Sequence, residues 1–313
     1  MPDPDPTPSA RPLPSSLARL ESGLIRLTAP NPSPMTLHGT NTYLLGRQNV
    51  AVIDPGPDVP GHLEAILAAL PTGARVSHIL VTHSHLDHSP LAAGLAARTG
   101  AKIHAFGDSQ AGRSDRMADL AALGALGGGE GVDAAFRPDH RLADGDSVAT
   151  DEWQLSAIHT PGHFGNHLCF AWKDVLFTGD HVLGWASSLI SPPDGDLAAY
   201  RASLTRLIGR ADRIHYPGHG DPVTAPAERL EFLLRHRNRR EAKVRAALGS
   251  RFEPLADLLA RAYDDTPAAL HPAAARNLLA HLIDLTDRNL AEPDRPPGPD
   301  AWFRHANTAA MVD

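Results

Sequence analysis

The stretch VTHSHLDHSP, Val81–Pro90, decides the fold of this 313-residue chain. It follows an apolar run that predicts a buried strand, and it holds three histidines and one aspartate within six positions. Because side chains alternate along an extended segment, His83 and His85 leave the same face, while Asp87 and His88 follow as the chain turns into a helix. Imidazole and carboxylate groups are costly to bury without a partner. The pattern therefore favours a metal site over a solvated polar loop.

Three further segments repeat the arrangement of a strand end, a glycine and a ligand-type side chain. They are HTPGH ending at His163, FTGD ending at Asp180, and YPGHG with His219. Each glycine allows the backbone to turn tightly beside a site. Neutral imidazole and carboxylate without thiolate suit zinc, and also iron or manganese. Two such cations side by side would acidify water and so favour hydrolysis.

The remaining pattern predicts an α/β fold. Short apolar runs separated by turn residues form two β-rich halves, and each half finishes with helical segments. Two halves of this kind predict an αββα sandwich, in which loops at one edge of two sheets carry the chemistry. Residues 109–133, rich in alanine and glycine, are interpreted as a loop or partial helix that covers the site.

Changes of composition divide the chain into four parts. Residues 1–18 are proline-rich and are predicted to be a disordered leader, and residues 19–226 are predicted to be the catalytic domain. From residue 227 the pattern is helical throughout, which predicts a small helical domain over residues 227–292. Residues 293–313 are predicted to be a loose tail.

Composition excludes several classes of protein. A net charge of -7 with 42% hydrophobic residues gives no electrostatic bias toward nucleic acid or anionic membranes. Cys169 is the single cysteine, so no intramolecular disulfide forms, and it is predicted to be a buried strand residue. No apolar run reaches the roughly 18 to 20 residues that cross a bilayer, and no signal peptide is evident. We therefore expect a cytoplasmic protein without a membrane partner.

Together the motifs resemble the five-motif signature of the metallo-β-lactamase superfamily. The residues that this resemblance implies for the first ion are His83, His85 and His163. Those implied for the second ion are Asp87, His88 and His219. Asp180 is implied to bridge the ions, and Asp87 and Asp180 are the candidate catalytic carboxylates. The implied cofactors are two divalent metal ions, with zinc favoured and iron or manganese as alternatives.

Asp54, in VIDPG, matches the first motif of that signature. It precedes a Pro-Gly turn at a strand end, where carboxylates commonly hold ligand imidazoles in place. We therefore expect Asp54 to orient a ligand histidine, or the loop that carries it, without touching metal. His167 and His181 neighbour ligands, and they too are interpreted as supporting residues and not as proton donors.

Both ends of the chain resemble one subgroup. NPSPMTLHGTNTYLLG, Asn31–Gly46, looks like the opening of the β-lactamase-like subgroup with a C-terminal winged helix, and residues 265–285 are similar to its appended domain. A bridging Asp180 argues against a true β-lactamase, because the resemblance implies that those enzymes lack it. The C-terminal helical domain is therefore expected to be winged-helix-like.

The leading hypothesis is a dinuclear metal-dependent hydrolase that acts on an ester-like bond of a small molecule: a thioester, ester, lactone or phosphodiester. One alternative is an endoribonuclease acting on single-stranded RNA, which the subgroup and the basic run RHRNRREAK, Arg235–Lys243, suggest. The segment GWASSLISPPDGD after Asp180 departs from the animal ribonuclease pattern and counts against it. Another alternative is a non-catalytic nucleic-acid-binding module, against which the complete ligand set counts. The patterns do not indicate an oligomeric state.

Overall fold

The computed structural model describes residues 15–124 and 131–306, and within them the chain forms the predicted αββα sandwich. The first sheet follows chain order and consists of β1 (Ser16–Glu21), β2 (Leu24–Thr28), β3 (Asn41–Leu45), β4 (Asn49–Ile53), β5 (Arg75–Leu80), β6 (Lys102–Ala105) and β7 (His140–Arg141). The second sheet has the order β12-β11-β10-β9-β8 and consists of β8 (Ser147–Ala149), β9 (Gln154–His159), β10 (Leu168–Trp172), β11 (Val175–Gly179) and β12 (Ile214–Pro217).

The helices pack outside these sheets or form the C-terminal unit. They are α1 (His62–Ala68), α2 (Leu91–Thr99), α3 (Asp115–Ala122), α4 (Leu197–Ile208), α5 (Pro226–Ala247), α6 (Leu255–Ala262) and α7 (His271–Asp287). None of the helices in the described ranges has the length and apolarity needed to cross a bilayer.

The central core lies between the two sheets. Alternate residues of each strand point inward, so that Tyr43 and Ile53 of the first sheet meet Phe170 and Phe177 of the second. Burying a side chain of this size contributes about 1.5–3 kcal/mol. Cys169 alternates to the other face of β10 and lies fully buried against α4, as the sequence predicts for a strand residue. Both faces of β10 are therefore buried beneath the loop-bearing edge.

Parallel strand pairs bring the motifs to that edge. β4 runs parallel to β5, and β11 runs parallel to β12, so each pair ends on the same side of its sheet. Asp54 follows β4, and the histidine-rich stretch follows β5. Asp180 and His219 follow β11 and β12, while His163 follows β9. Separate strand ends thus deliver ligand-type side chains to one place.

The C-terminal unit is not helical throughout, and residues 293–306 are not a loose tail. β13 (Glu253–Pro254), β14 (Ala291–Pro293) and β15 (Trp302–His305) form a small sheet in the order β13-β15-β14. Phe303 is fully buried in the core that α6 and α7 share. The tail prediction was wrong because Pro296, Pro297 and Pro299 lie in the connection between β14 and β15, and Pro293 ends β14, so the proline-rich composition does not prevent strand pairing. Residues 307–313 of the predicted tail lie outside the described residues.

The leader prediction is also wrong at its end. Leu17 and Ala18 belong to β1, which pairs antiparallel with β2. Backbone hydrogen bonding to a neighbouring strand orders this segment despite its polar composition. Residues 1–14 of the predicted leader lie outside the described residues.

The segment 109–133 contains a helix, as the interpretation of a partial helix allowed. Met117 and Leu120 of α3 pack into the core of the C-terminal unit. Residues 125–130 of this segment lie outside the described residues.

α5 joins the two parts of the chain, because Leu230 packs under the second sheet and Val244 lies in the C-terminal core. A domain boundary drawn at residue 226 therefore separates α5 from part of the core that it completes.

Candidate metal centre

The first group of ligand-type atoms comes from His83, His85 and His163. His85 Nδ1 lies 2.9 Å from His83 Nε2 and 3.1 Å from His163 Nε2. A tetrahedral zinc ion with bonds of 2.0–2.1 Å would hold neighbouring ligand nitrogens about 3.3 Å apart. The three rings therefore already converge on one point at nearly the spacing that such an ion requires.

The second group is made of Asp87, His88 and His219. Asp87 Oδ2 lies 3.1 Å from His219 Nε2 and 3.5 Å from His88 Nε2. Thr40 Oγ1 donates a hydrogen bond to the same carboxylate oxygen, at 3.1 Å. Both rings are buried, whereas the side chain of Asp87 is 26% exposed. This second group is thus open to incoming molecules on the aspartate side.

Asp180 lies between the two groups. Its Oδ1 is 3.5 Å from His88 Nε2, and its Oδ2 is 3.2 Å from His219 Nε2. The same Oδ2 is 3.7 Å from His163 Nε2 in the first group. One carboxylate therefore faces both groups, which is the geometry that bridging two ions needs.

Hydrogen bonds fix the orientation of four ligand-type rings through their second nitrogen. The pairs are His83 Nδ1 with Thr82 Oγ1 (3.0 Å), His88 Nδ1 with Asp54 Oδ2 (2.9 Å), His163 Nδ1 with the Leu189 carbonyl (2.7 Å) and His219 Nδ1 with the Gly39 carbonyl (3.2 Å). A carbonyl or carboxylate partner selects the tautomer that protonates Nδ1 and leaves the Nε2 lone pair free. In the neutral form of these rings, the Nε2 lone pair faces inward.

Two buried atoms test whether a metal fits these residues. Within the described residues, His88 Nε2 and Asp180 Oδ1 are both buried and both lack a hydrogen-bond partner. Leaving such atoms unsatisfied costs about 1–3 kcal/mol each, and more where the group is charged. A cation placed between them would satisfy both. The donor set, nitrogen and oxygen without sulfur, fits a divalent ion such as zinc.

The electrostatics of the two groups differ. Burial and the like charge of neighbouring rings hold the pKa of His83 well below its ordinary 6.5 and lower the pKa of His85 to about 3. Burial also opposes charge on His219, but the carboxylates of Asp180 and Asp87 outweigh it and raise the pKa of His219 to about 10. The first group therefore offers neutral imidazoles. In the second group, carboxylate and imidazolium neutralise each other, and a bound cation would take the place of the proton.

Comparison with known proteins shows the family to which this chain belongs. The sequence model described as the Metallo-beta-lactamase superfamily matches residues 35–219, more than half of the chain. This chain belongs to the metallo-beta-lactamase superfamily. A second model, the beta-lactamase associated winged helix domain, matches residues 255–302. The chain is therefore a metal-dependent hydrolase of this superfamily with a C-terminal winged helix domain, as the sequence predicted.

Proteins with similar sequences or a similar structure support this family assignment. The Beta-lactamase-like protein 2 homolog of Drosophila melanogaster is 31% identical over 283 residues, which cover 86% of this chain and 90% of that protein. Thioesterase pkgB of Emericella nidulans is 31% identical over 243 residues, which cover 74% of this chain and 62% of that protein. The crystal structure of a metallo-beta-lactamase family protein from Thermus thermophilus superposes with a TM-score of 0.73 at 25% identity, covering 90% of this chain and 98% of that one.

The cavity above this superfamily site was not predicted from the sequence. It has a volume of about 810 Å³ and is lined by His85, Asp87, His163, Asp180 and His219 on one side. The winged helix domain also contributes to its lining, through Tyr263, Leu270, Ala274, Asn277 and Leu279. The winged helix domain therefore shapes the cavity that faces the candidate metal centre.

The sequence did not predict that residues beyond the motifs line the cavity. Arg237 lines the cavity and is only 2% exposed, although it sits in a run that looked like a solvated basic face. One signal could have found it: Arg237 falls four positions after Leu233 and seven after Leu230, on the apolar face of α5. A charged residue at such a position indicates a buried role.

His167 and His181 lie beneath the site and do not line the cavity. The His167 ring stacks at 5.2 Å on His83, and Thr160 Oγ1 lies 2.9 Å from its Nδ1. His181 packs against Tyr200, and burial lowers its pKa to about 3, so it is neutral. These contacts agree with the interpretation of both residues as supporting groups.

Gly218 shows how closely the backbone approaches the candidate ligands. A Cβ at this position would lie 2.4 Å from Asp180 Oδ1 and 2.6 Å from His88 Cε1. We expect Gly218→Ala to cost about 1–3 kcal/mol of stability by overpacking and to weaken metal binding, because both ligands must move. The control is Gly209→Ala, where the nearest atom to the new Cβ is 3.7 Å away. Metal titration of both folded variants measures this, and wild-type affinity in Gly218→Ala would contradict it.

Asp54 contacts the site through His88. Besides the bond to His88 Nδ1, its two oxygens accept hydrogen bonds from Thr82 N and Thr82 Oγ1, at 2.7 and 2.8 Å. Removal of an outer carboxylate typically weakens metal binding by about 10- to 100-fold, and we expect that loss for Asp54→Ala. Asp54→Asn, which keeps an acceptor, should lose less. A competition titration against a chromophoric chelator gives the affinities, and an unchanged value for Asp54→Ala would show that this carboxylate does not orient the ligand.

Proposed function

We propose that this protein is a dinuclear hydrolase of ester-like bonds in small molecules, with thioesters as its foremost substrates. The observation that carries the proposal is the position of Asp180, whose carboxylate lines the cavity and lies within 4 Å of both ligand groups. The seven residues proposed to hold the ions are His83, His85, Asp87, His88, His163, Asp180 and His219. Bound as a pair, the ions supply Lewis acidity that polarises an ester carbonyl and acidifies water near neutral pH.

The chain's own residues prepare that chemistry. Asp180 lies between the two groups, since its Oδ1 faces His88 and its Oδ2 faces both His219 and His163. The hydrogen bond from Thr40 holds one oxygen of Asp87 toward His219. Asp87 and His163 both line the cavity, so a bound substrate reaches both groups at once. This arrangement supports hydrolysis and not binding alone.

The cavity supports a small-molecule substrate with an apolar part. Its lining includes the apolar side chains of Met35, Leu183, Trp185, Leu189 and Leu279. A volume of about 810 Å³ falls within the usual range for pockets that bind small ligands. The similarity to a protein named thioesterase supports placing thioesters before lactones, esters and phosphodiesters. Zinc is the ion that we favour, with iron or manganese as alternatives.

Cleavage of single-stranded RNA remains the second candidate, but the structure gives it less support. The basic run that suggested it is largely neutralised by neighbouring carboxylates. The ion pairs are Arg235 with Glu231 at 3.0 Å, Arg240 with Asp265 at 3.0 Å, and Lys243 with Asp264 at 3.1 Å and Asp265 at 2.9 Å. Since phosphate binding depends on free cationic groups, this surface is a poor RNA platform. A binding-only module has still less support because of the convergent ligand groups.

The deciding experiment combines metal content with a substrate panel. We expect elemental analysis of protein supplied with zinc to give about two ions per chain. The loaded protein should then hydrolyse acyl thioesters faster than lactones, phosphodiesters or single-stranded RNA, and chelation should abolish this activity. One ion or none after supplying zinc, iron and manganese in turn would contradict the dinuclear proposal. Preferential cleavage of RNA would contradict the thioester proposal and favour the second candidate function.

A further inference from the structure

Three consecutive residues, Ser188–Ile190, form a strap between the candidate metal centre and the winged helix domain. The carbonyl of Leu189 accepts the hydrogen bond from His163 Nδ1 at 2.7 Å. Ser188 Oγ donates to the backbone carbonyl of Asp180 at 2.5 Å. The strap therefore contacts one proposed ligand of the first ion and the proposed bridging residue.

Two side chains from outside the catalytic motifs hold this strap. Arg237 of α5 donates from Nη2 to the Ser188 carbonyl and from Nη1 to Asn277 Oδ1, the latter at 2.9 Å. Asn277 of α7 also accepts from the backbone nitrogen of Ile190 at 3.2 Å. Each residue of the strap is thus tied at least once, either to the metal centre or to the α5–α7 side.

The cost of burying Arg237 indicates that these bonds matter. Its guanidinium is buried, and no carboxylate within the described ranges forms an ion pair with it. Buried charges are normally paired, because removing a cation from water is expensive. The Tyr200 ring, 5.2 Å from the guanidinium carbon, offsets part of this cost through its π face. An apolar side chain would fill the space at less cost, so a requirement for the planar, multiply donating group explains its presence.

A second arginine of α5, Arg229, forms similar hydrogen bonds to residues that lie closer to Asp180 in the sequence. Arg229 donates from Nε to the Leu183 carbonyl at 2.7 Å and from Nη2 to the Ala186 carbonyl at 2.6 Å. Two arginines of one helix therefore bind three backbone carbonyls of the segment that follows Asp180. This arrangement accounts for part of the basic character of α5 without any nucleic acid.

We propose that Arg237 and Asn277 are positioning residues through which α5 and the winged helix domain set the metal site. They hold the strap, the Leu189 carbonyl then fixes the His163 ring, and Ser188 fixes the backbone of Asp180. The inference rests on the proposed function in one respect only, namely that His163 and Asp180 bind metal. The winged helix domain thereby becomes a support of the metal centre as well as a wall of the cavity.

The first test compares three variants of α5. Arg237→Met removes both donated bonds, Arg237→Lys keeps a cation that can reach a carbonyl, and Arg235→Met removes a neighbouring charge whose side chain is 59% exposed. We expect Arg237→Met to weaken zinc binding by about 10- to 100-fold in a competition titration, as loss of an outer partner does elsewhere. Turnover at sub-saturating zinc should fall similarly while KM changes less than about threefold. Arg237→Lys should recover part of the affinity, and Arg235→Met should match the wild type.

The second test covers the case in which Arg237→Met does not fold. Asn277→Leu keeps the side-chain size but loses the acceptor, whereas Asn277→Asp keeps an acceptor for Arg237 and Ile190. We expect zinc affinity to fall in Asn277→Leu and to stay near the wild-type value in Asn277→Asp. If folded Arg237→Met and Asn277→Leu bind zinc like the wild type and show only lower melting temperatures, the positioning role is refuted. Zinc affinity is measured without substrate, so this test does not depend on which substrate the protein hydrolyses. If the wild type bound no zinc, the proposed function itself would be refuted.

Discussion

Asp180→Ala is expected to lower turnover of any ester-like substrate at least about a hundredfold, because generation of the nucleophile and stabilisation of the leaving group both depend on a paired site. Asp180 faces His88, His163 and His219 within 4 Å. Two unit positive charges 4 Å apart repel each other by roughly 4 kcal/mol at an effective dielectric of 20. The carboxylate of Asp180 would offset part of the repulsion between two bound cations, and Asp180→Ala removes this offset. The variant should therefore stay folded and lose the pair of ions.

Three measurements on the same Asp180→Ala protein separate the candidate functions. They are turnover, metal content and affinity for single-stranded RNA. A binding-only module would keep its RNA affinity without any turnover to lose, and an endoribonuclease would lose cleavage while retaining RNA binding. Full turnover with two ions still present would refute the bridging role of Asp180.

Asp87→Ala is expected to remove the second ion selectively and to reduce turnover by about a hundredfold, since hydrolysis at a two-metal site needs both ions. Asp87 contacts His88 and His219 and is not part of the first group of ligand-type residues. The first group should therefore retain one ion per chain, because His83, His85 and His163 are unchanged. Because the Asp87 side chain is 26% exposed and lines the cavity, its removal should disturb the fold little.

Elemental analysis and steady-state kinetics on Asp87→Ala test this expectation. Asp221→Ala is the matched control, since it removes a carboxylate two positions after His219 whose side chain is 86% exposed. The control should keep two ions and normal turnover. Two tightly bound ions in Asp87→Ala would show that the second position is held without this aspartate.

The strand-end motifs made most of the fold and the candidate ligands predictable. A buried strand followed by a short turn is a local pattern, and His83, His163, Asp180 and His219 each stand in one. The αββα architecture follows from the same alternation of strands and helices. The prediction was wrong at Leu17 and Phe303, whose segments have polar or proline-rich composition but are ordered by pairing with other strands.

The sequence by itself determined which side chains could bind metal and at which strand ends they lie, because strand direction and side-chain alternation are set by neighbouring residues. Only the tertiary structure decided what surrounds them. The Leu189 carbonyl that orients His163, the burial of Arg237 and the cavity wall formed by Asn277 and Leu279 depend on contacts between distant segments. Backbone carbonyls carry no residue signature, and a charged side chain reads the same in sequence whether it meets water or a buried carbonyl. The packing of α5 and α7 against the catalytic sheets settles which of these occurs.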